Sequence, residues 1–169
     1  MADIAIEPIA FKSLFMASLW RGTAPAGAAQ LESALNCALP DKPNRFTEKD
    51  GIVAACLIPG RYLLLAETGQ LYPAAAGNCD PALVSLVQLD HSRKAFRVSG
   101  PQAARLLMKG VAIDLDEAAF PAGSLFQSSI HDIGVVGLRR GASSFDLLVY
   151  TSFADSFEHW LRDAAMEFS

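Results

Sequence analysis

The chain has 169 residues, a length that suits one compact domain or two small halves sharing a core. Hydrophobic residues make up 51% of it and charged residues only 19%, a balance that excludes intrinsic disorder. The net charge of −4 argues against a nucleic acid or an anionic membrane bound through a broad basic face. Such a small charged fraction is unusual for a chain that must dissolve alone, and it needs an explanation.

Turn and helix-stop residues divide the first half of the chain into an arm and four elements. In order, we expect an extended N-terminal arm over residues 1–12, a strand over 14–20, a helix from Thr23 to Pro40, a polar loop over 41–50, and strands over 52–58 and 62–66. Thr23 is a favoured N-cap residue with Pro25 in the first turn after it, and Pro40 cannot continue a helix. Pro59 and Gly60 connect the last two strands as a hairpin.

The second half repeats this order after an irregular, alanine-rich connection over residues 68–81. We expect strands over 83–89 and 94–99 around a turn at 90–92, a helix from Pro101 to Gly110, strands over 125–130, 134–138 and 145–150, and a C-terminal helix. Ser152 and Asp155 have the spacing of a capping box for that last helix. Its apolar face covers a sheet and consists of Phe153, Phe157, Trp160, Leu161, Ala164 and Phe168.

The order of these elements predicts the fold class. Neighbouring antiparallel strands with interspersed helices, and no regular alternation of strand and helix, indicate an α+β fold. Two split-βαβ, ferredoxin-like halves satisfy the order. We therefore predict a single compact α+β domain over residues 13–169, with halves over about 13–80 and 81–169 and the arm in front.

Hydropathy and cysteine usage indicate the compartment. The longest uncharged apolar run, residues 52–58, is far shorter than the ~20 residues needed to cross a bilayer, and no basic leader precedes an apolar stretch. Cys37, Cys56 and Cys79 are odd in number and form no CxxC pair, so neither a disulfide framework nor a thiolate zinc site is indicated. We expect a soluble cytoplasmic chain, or one whose targeting signal was removed, with buried, reduced thiols.

The histidines are the first candidates for catalysis. His91, His131 and His159 have no metal-binding spacing such as HxxxH. The tripeptide Asp-His-Ser at 90–92 contains the residue types of a hydrolase triad, but adjacent residues in a turn point in different directions and no GxSxG elbow accompanies them. A Cys–His pair assembled in space stays open, although Cys56 lies in an apolar strand, where burial makes a thiol inert.

Other candidate sites have simpler interpretations. Asp114, Asp116 and Glu117 lack the spacing and loop glycine of an EF-hand, so we expect a solvated turn. Arg139 and Arg140 should lie solvated at a hairpin tip rather than clamp an anion. No GxGxxG or P-loop motif is present, which argues against a dinucleotide bound by this chain. The residue patterns thus predict no catalytic, cofactor-binding or metal-binding site in this chain.

An ordered set of residues resembles a known family, the gamma subunit of heterotetrameric sarcosine oxidase. The second half reads LVQLDHSRKAFRVSGPQAARLLMKGVAIDL, then FPAG, and ends YTSFADSFEHWLRDAAMEF. The shared features are Leu39-Pro40, Pro43-Asn44, the segment 57–64, Asp90 and Ser92, Gly100-Pro101, Lys109-Gly110, Asp114-Leu115, the segment 120–123, and Ser152 with Trp160-Leu161. The resemblance covers roughly residues 30–169 and departs at 57–62, where the family usually carries a Trp-Leu-Gly-Pro type string.

This resemblance implies a fold like the folate-binding domain of aminomethyltransferases and a noncatalytic, structural subunit. The complex would oxidise sarcosine to glycine with formation of hydrogen peroxide, and the one-carbon unit would leave as formaldehyde or pass to tetrahydrofolate. FAD, FMN, NAD and tetrahydrofolate would be bound by the larger partner subunits and not by this chain. Because charged residues are depleted at the centre of subunit interfaces, such a role explains the low charged fraction.

Two further functions stay open at this stage. One is a stand-alone folate-binding protein of the aminomethyltransferase type. The other is a gamma-like subunit of a dehydrogenase for another N-methyl amino acid. A further question is whether the isolated chain is a monomer or self-associates through the surface meant for a partner, and the sequence leaves both open.

Overall fold

Ten strands and four α-helices make up the part of the chain that the computed structural model describes, residues 3–168. The strands are β1 (Ala5–Ile9), β2 (Ser13–Leu19), β3 (Arg45–Lys49), β4 (Ile52–Ile58), β5 (Arg61–Ala66), β6 (Val84–Gln88), β7 (Arg93–Ser99), β8 (Leu125–Ile130), β9 (Ile133–Gly141) and β10 (Ser144–Tyr150). The helices are α1 (Ala24–Leu35), α2 (Leu71–Asn78), α3 (Ala103–Met108) and α4 (Ala154–Ala165). Within the described residues, no helix is long and apolar enough to cross a membrane.

The chain divides into two units, of which the first is Phe11–Asp90. Its antiparallel sheet has the strand order β3-β4-β5-β2-β6. Helix α1 leads from β2 to the β3–β4–β5 meander, and α2 leads from β5 to β6, which lies beside β2. Both helices pack on one face of the sheet, where Leu31 and Leu35 of α1 and Ala75 of α2 share a core with Phe15 and Leu64.

The second unit consists of Met1–Ala10 and His91–Ser169. Its antiparallel sheet has the order β1-β7-β10-β9-β8. Leu106 and Leu107 of α3 and Phe157 and Leu161 of α4 form its core with sheet residues such as Phe145. Here β1 occupies the place beside β7 that β6 occupies beside β2 in the first unit. The predicted α+β class with two split-βαβ halves is confirmed.

The N-terminal segment is part of this sheet. We expected an extended arm over residues 1–12, but β1 pairs along its whole length with β7. The chain before β1 lies so close to Gly100, which has a φ of 121°, that a Cβ on this glycine would be 2.4 Å from the carbonyl oxygen of Asp3. The segment is thus extended but paired, because a sheet edge is available to its backbone groups. Met1 and Ala2 of the predicted arm lie outside the described residues.

Two segments that we expected to be irregular are regular. The polar loop over 41–50 contains β3, an edge strand paired with β4, and its charged residues are those that edge strands commonly carry. The connection over 68–81 contains α2. Its first backbone N–H groups, of Leu71 and Tyr72, donate to Ser13 Oγ at 3.1 and 3.3 Å. This acceptor lies far away in the sequence, so no local pattern indicates the start of the helix.

The ends of α1 differ from the prediction. The helix begins directly after Thr23, but the Thr23 hydroxyl donates to the carbonyl of Trp20 and does not cap the helix. It ends well before Pro40, because Asn36 adopts a left-handed conformation with a φ of 51°. An asparagine in this conformation is a common helix stop.

The predicted capping box of Ser152 and Asp155 is wrong. A 3-10 turn over Thr151–Phe153 precedes α4, and no side chain caps the first turn of this helix within the described residues. Phe153 therefore stands before the helix and is 49% exposed, outside the buried stripe.

The division between the units also lies elsewhere than predicted. We expected one half to end near residue 80, but the first unit extends to Asp90. The reason is that β6 pairs with β2 from Leu19 to Phe15 and belongs to the first sheet.

Candidate functional site

The Asp-His-Ser turn at 90–92 holds strands together. Asp90 Oδ1 accepts a hydrogen bond of 2.7 Å from the N–H of Leu14 in β2. The Thr151 hydroxyl donates to the His91 carbonyl at 2.9 Å, and the Thr151 N–H donates to the Ser92 carbonyl at 3.1 Å. The carboxylate of Asp90 is therefore engaged with backbone and does not orient the exposed imidazole of His91.

The other two histidines lie at an open groove of about 520 Å³ in the second unit. Its lining consists of His131, Asp155, Ser156, His159, Trp160 and Asp163. His131 stacks on the Trp160 ring with centroids 6.3 Å apart, and His159 Nε2 lies 3.2 Å from Asp163 Oδ2. Both side chains are exposed, so this contact contributes little to stability. In residues 3–168, no three His, Cys, Asp or Glu side chains are placed to hold a metal ion.

The three thiols are free and buried. Burial raises the pKa of Cys37, Cys56 and Cys79 above the ordinary thiol value of 9.0. All three belong to the core of the first unit. The interpretation of the cysteines as buried, reduced thiols is confirmed, and their raised pKa opposes a role as nucleophile.

The acidic segment organises its own loop. Asp114 Oδ1 accepts from the N–H of Asp116 at 2.9 Å, and Asp116 Oδ1 accepts from the N–H of Ala118 at 3.0 Å. These are Asx-type bonds, which stabilise turns. The residues are exposed, in agreement with the expected solvated turn.

Arg139 contradicts the expectation of a solvated hairpin tip. Its side chain is buried and donates to the carbonyl oxygens of Leu115 and Phe120, at 2.8 Å each, and of Gly141 at 3.1 Å. The guanidinium also donates to the Ala142 carbonyl. Strand β9 continues through Gly141, so Arg139 lies inside the sheet and fastens the loop between α3 and β8 to it.

Arg140 is likewise bonded within the protein. Asp146, in the middle of β10, is completely buried. It accepts from Arg97 in a bidentate arrangement, at 2.7 and 2.9 Å, and from Arg140 at 3.0 Å. Such charge-assisted bonds join the three adjacent strands β7, β10 and β9.

Two charged residues within apolar strands are the sequence signal for this cluster. Asp146 stands in the apolar run 145–150, and Arg97 stands between Phe96 and Val98 in another strand. A charged residue at the centre of an apolar strand needs a partner, because an unpaired buried charge is costly. The pairing itself depends on the sheet order, which places β7 beside β10.

Solved structures show what this fold is similar to. A heterotetrameric sarcosine oxidase from Corynebacterium sp. U-96, in complex with pyrrole 2-carboxylate, matches with a TM-score of 0.90 and 27% identity, covering 98% of this chain and 85% of that chain. The aminomethyltransferase T of the glycine cleavage system from Bartonella henselae matches with a TM-score of 0.66 and 16% identity, covering 95% of this chain and 45% of that chain. The second likeness shows the fold alone.

Sequence comparisons agree with the first of these structures. The sarcosine oxidase subunit gamma of an Arthrobacter species is 30% identical over 150 residues, covering 85% of this chain and 72% of the relative. That of Corynebacterium sp. strain U-96 is 30% identical over 148 residues, covering 85% and 71%. The sequence model of the sarcosine oxidase gamma subunit family matches residues 21–167. The chain therefore belongs to the sarcosine oxidase gamma subunit family.

Proposed function

We propose that this gamma subunit has a structural, noncatalytic role in a heterotetrameric sarcosine oxidase. Its partners are the larger subunits of the same complex, which bind flavin, NAD and folate. Support for a partnered chain comes from the similar Corynebacterium protein, whose structure is that of a heterotetramer.

The observation that carries the noncatalytic role is how the chain uses its buried charges. Asp146 pairs with Arg97 and Arg140, and Arg139 donates to backbone carbonyls of its own unit. A catalytic group must have donor or acceptor capacity left for a substrate, and it usually lies in a cleft. These groups bond to their own chain and hold strands and loops in position.

We assign FAD, FMN, NAD and tetrahydrofolate to the other subunits. The groove beside Trp160 illustrates why folate suits this chain poorly. Asp155 and Asp163 line it, and their carboxylates would repel the glutamate carboxylates of tetrahydrofolate. The likeness to an aminomethyltransferase concerns the fold alone and is no argument for a folate site in this chain.

The complex, in this proposal, oxidises sarcosine to glycine with formation of hydrogen peroxide, and releases the one-carbon unit as formaldehyde or passes it to tetrahydrofolate. The cytoplasm is the proposed location. It is a reducing compartment, in which three buried free thiols stay reduced.

The test is to express the other subunits with and without this chain. We expect the yield of assembled complex, and the sarcosine-dependent formation of peroxide, to fall strongly when the chain is omitted. Supplying the chain from a second plasmid should restore both. Undiminished yield and activity without the chain would contradict the proposal.

A further inference from the structure

One end of the first unit's sheet has an exposed apolar surface. Trp20 follows directly after β2 and is 51% exposed, and Ile58 at the end of β4 is 46% exposed. The N–H of Leu19 donates to the carbonyl of Gly60 at 2.8 Å, which places the β4–β5 turn beside Trp20. We use the term Trp20 end for the exposed residues of this region, which are Trp20, Arg21, Ile58, Pro59 and Arg61.

The Trp20 side chain is held in position before any partner binds. Its indole Nε1–H donates to the carbonyl of Pro81 at 3.0 Å, and its backbone N–H donates to the carbonyl of Leu83 at 3.0 Å. Because the indole donor already has an acceptor, a partner can cover the ring with apolar groups and leave no donor unsatisfied. An ordered aromatic side chain also loses little conformational entropy on binding.

Two arginines flank this apolar surface without a partner. Arg21 and Arg61 are exposed, and neither side chain forms an ion pair or a hydrogen bond with another of the described residues. The nearby carboxylate of Asp80 does not pair with either arginine, and its Oδ1 accepts from the N–H of Ala82 at 2.8 Å. Tryptophan and arginine are the residue types most enriched among the energetically dominant positions of protein interfaces.

We propose that the Trp20 end is the docking surface for a larger subunit of the same complex, which presents an apolar pocket for the indole and carboxylates around it. The proposal rests on the subunit role proposed above and names the surface that serves it. A second copy of this chain fits less well. A symmetric dimer through this surface would bring Arg21 and Arg61 of one copy close to those of the other, and like charges repel.

The test is a competition during assembly. Wild-type chain and a variant, carrying different tags, are co-expressed in equal amounts with the larger subunits, and the ratio of the two tags in the purified complex is measured. We expect Trp20→Ser to be depleted at least tenfold relative to the wild type, as for a residue at the centre of an interface. Phe153→Ser is the matched control, because Phe153 is 49% exposed and lies in the other unit, and it should be incorporated equally.

A second variant covers the case in which Trp20→Ser does not fold. The double variant Arg21→Glu with Arg61→Glu changes only exposed side chains, so its thermal unfolding should match that of the wild type while its incorporation falls at least tenfold. If the Trp20 variant and the arginine double variant are both incorporated as well as the wild type, the docking surface is overturned and the proposed function stays intact. Depletion of Phe153→Ser to the same extent as Trp20→Ser would also overturn the docking surface.

Two other outcomes are also decisive. If the wild-type chain is not recovered with the larger subunits at all, the proposed function fails, and the docking surface fails with it. If light scattering shows that the wild type alone forms dimers that Trp20→Ser abolishes, while incorporation into the complex is unchanged, the occupant is a second copy and the proposal is overturned.

Discussion

The buried cluster of Asp146, Arg97 and Arg140 leads to a quantitative prediction for stability. Asp146→Asn keeps the size of the side chain but removes the negative charge between two guanidinium groups that lie 2.7 and 3.0 Å from it. Removing one partner of a buried ion pair costs about 3–5 kcal/mol. Since the Arg97 and Arg140 side chains keep 28% and 16% of their exposure, water offsets part of this cost. We expect a loss of about 2–3 kcal/mol in the free energy of unfolding.

Urea unfolding of the purified chain, followed by tryptophan fluorescence at pH 7, measures this loss. With an m-value of about 2 kcal/mol/M, the midpoint should move down by about 1 M or more. Asp163→Asn is the control. Asp163 also pairs with a neighbour, His159, but both are exposed, so this variant should stay within about 0.5 kcal/mol of the wild type.

A double-mutant cycle isolates the pair from other effects of the substitution. Asp146→Asn and Arg97→Met should be coupled by at least about 1 kcal/mol, because the two side chains share a bidentate contact. A midpoint for Asp146→Asn equal to that of Asp163→Asn, or a coupling of zero, would refute the argument that this cluster joins the strands.

Three further predictions concern packing, a helix start and pH. Gly137→Ala should lower the free energy of unfolding by about 1–3 kcal/mol, because the added Cβ would lie 2.3 Å from the Phe126 ring. Gly134→Ala is the control and should be close to neutral, because its Cβ would meet nothing within 4 Å. Equal effects of the two substitutions would contradict this packing. Ser13→Ala removes the acceptor of two backbone N–H groups of α2. We expect amide hydrogen exchange at the start of that helix to become about tenfold faster. An unchanged exchange rate would contradict this. The pKa of each of the three buried thiols is higher in the folded chain than in the unfolded chain. Their contribution to the free energy of unfolding is therefore complete below pH 9.0 and is lost as the pH rises further. A urea midpoint that does not decline between about pH 8 and pH 10 would contradict this.

Local patterns predict the elements whose boundaries are set by nearby residues. The helix α3 lies between Pro101 and Gly110 as expected, and β8 has the predicted bounds, 125–130. In contrast, β1 depends on pairing with β7, and the start of α2 depends on the Ser13 hydroxyl. These partners are remote in the sequence, so local patterns do not predict that β1 is paired or where α2 begins.

The same distinction applies to the polar residues. The burial of Cys56 follows from its apolar neighbours in β4. Cys37 and Cys79 have polar residues beside them in the chain, and their burial depends on the core of the first unit. Arg139 and Asp146 could not be assigned in this way, because burial of a charge depends on acceptors and donors from other strands and loops. The family resemblance indicates the subunit role, which periodicity alone does not. An ordered set of weak features along the chain is specific, although each feature alone is not.

In the role that we propose, this subunit contributes structure to the complex and no reacting group. We test this with the kcat for sarcosine of a complex assembled with the triple variant His91→Ala, His131→Ala and His159→Ala, which removes every histidine of the chain. We predict a kcat within about twofold of that of the wild-type complex, because a positioned acid or base contributes roughly 100-fold or more. A tenfold or greater loss of kcat in a fully assembled complex would contradict this role.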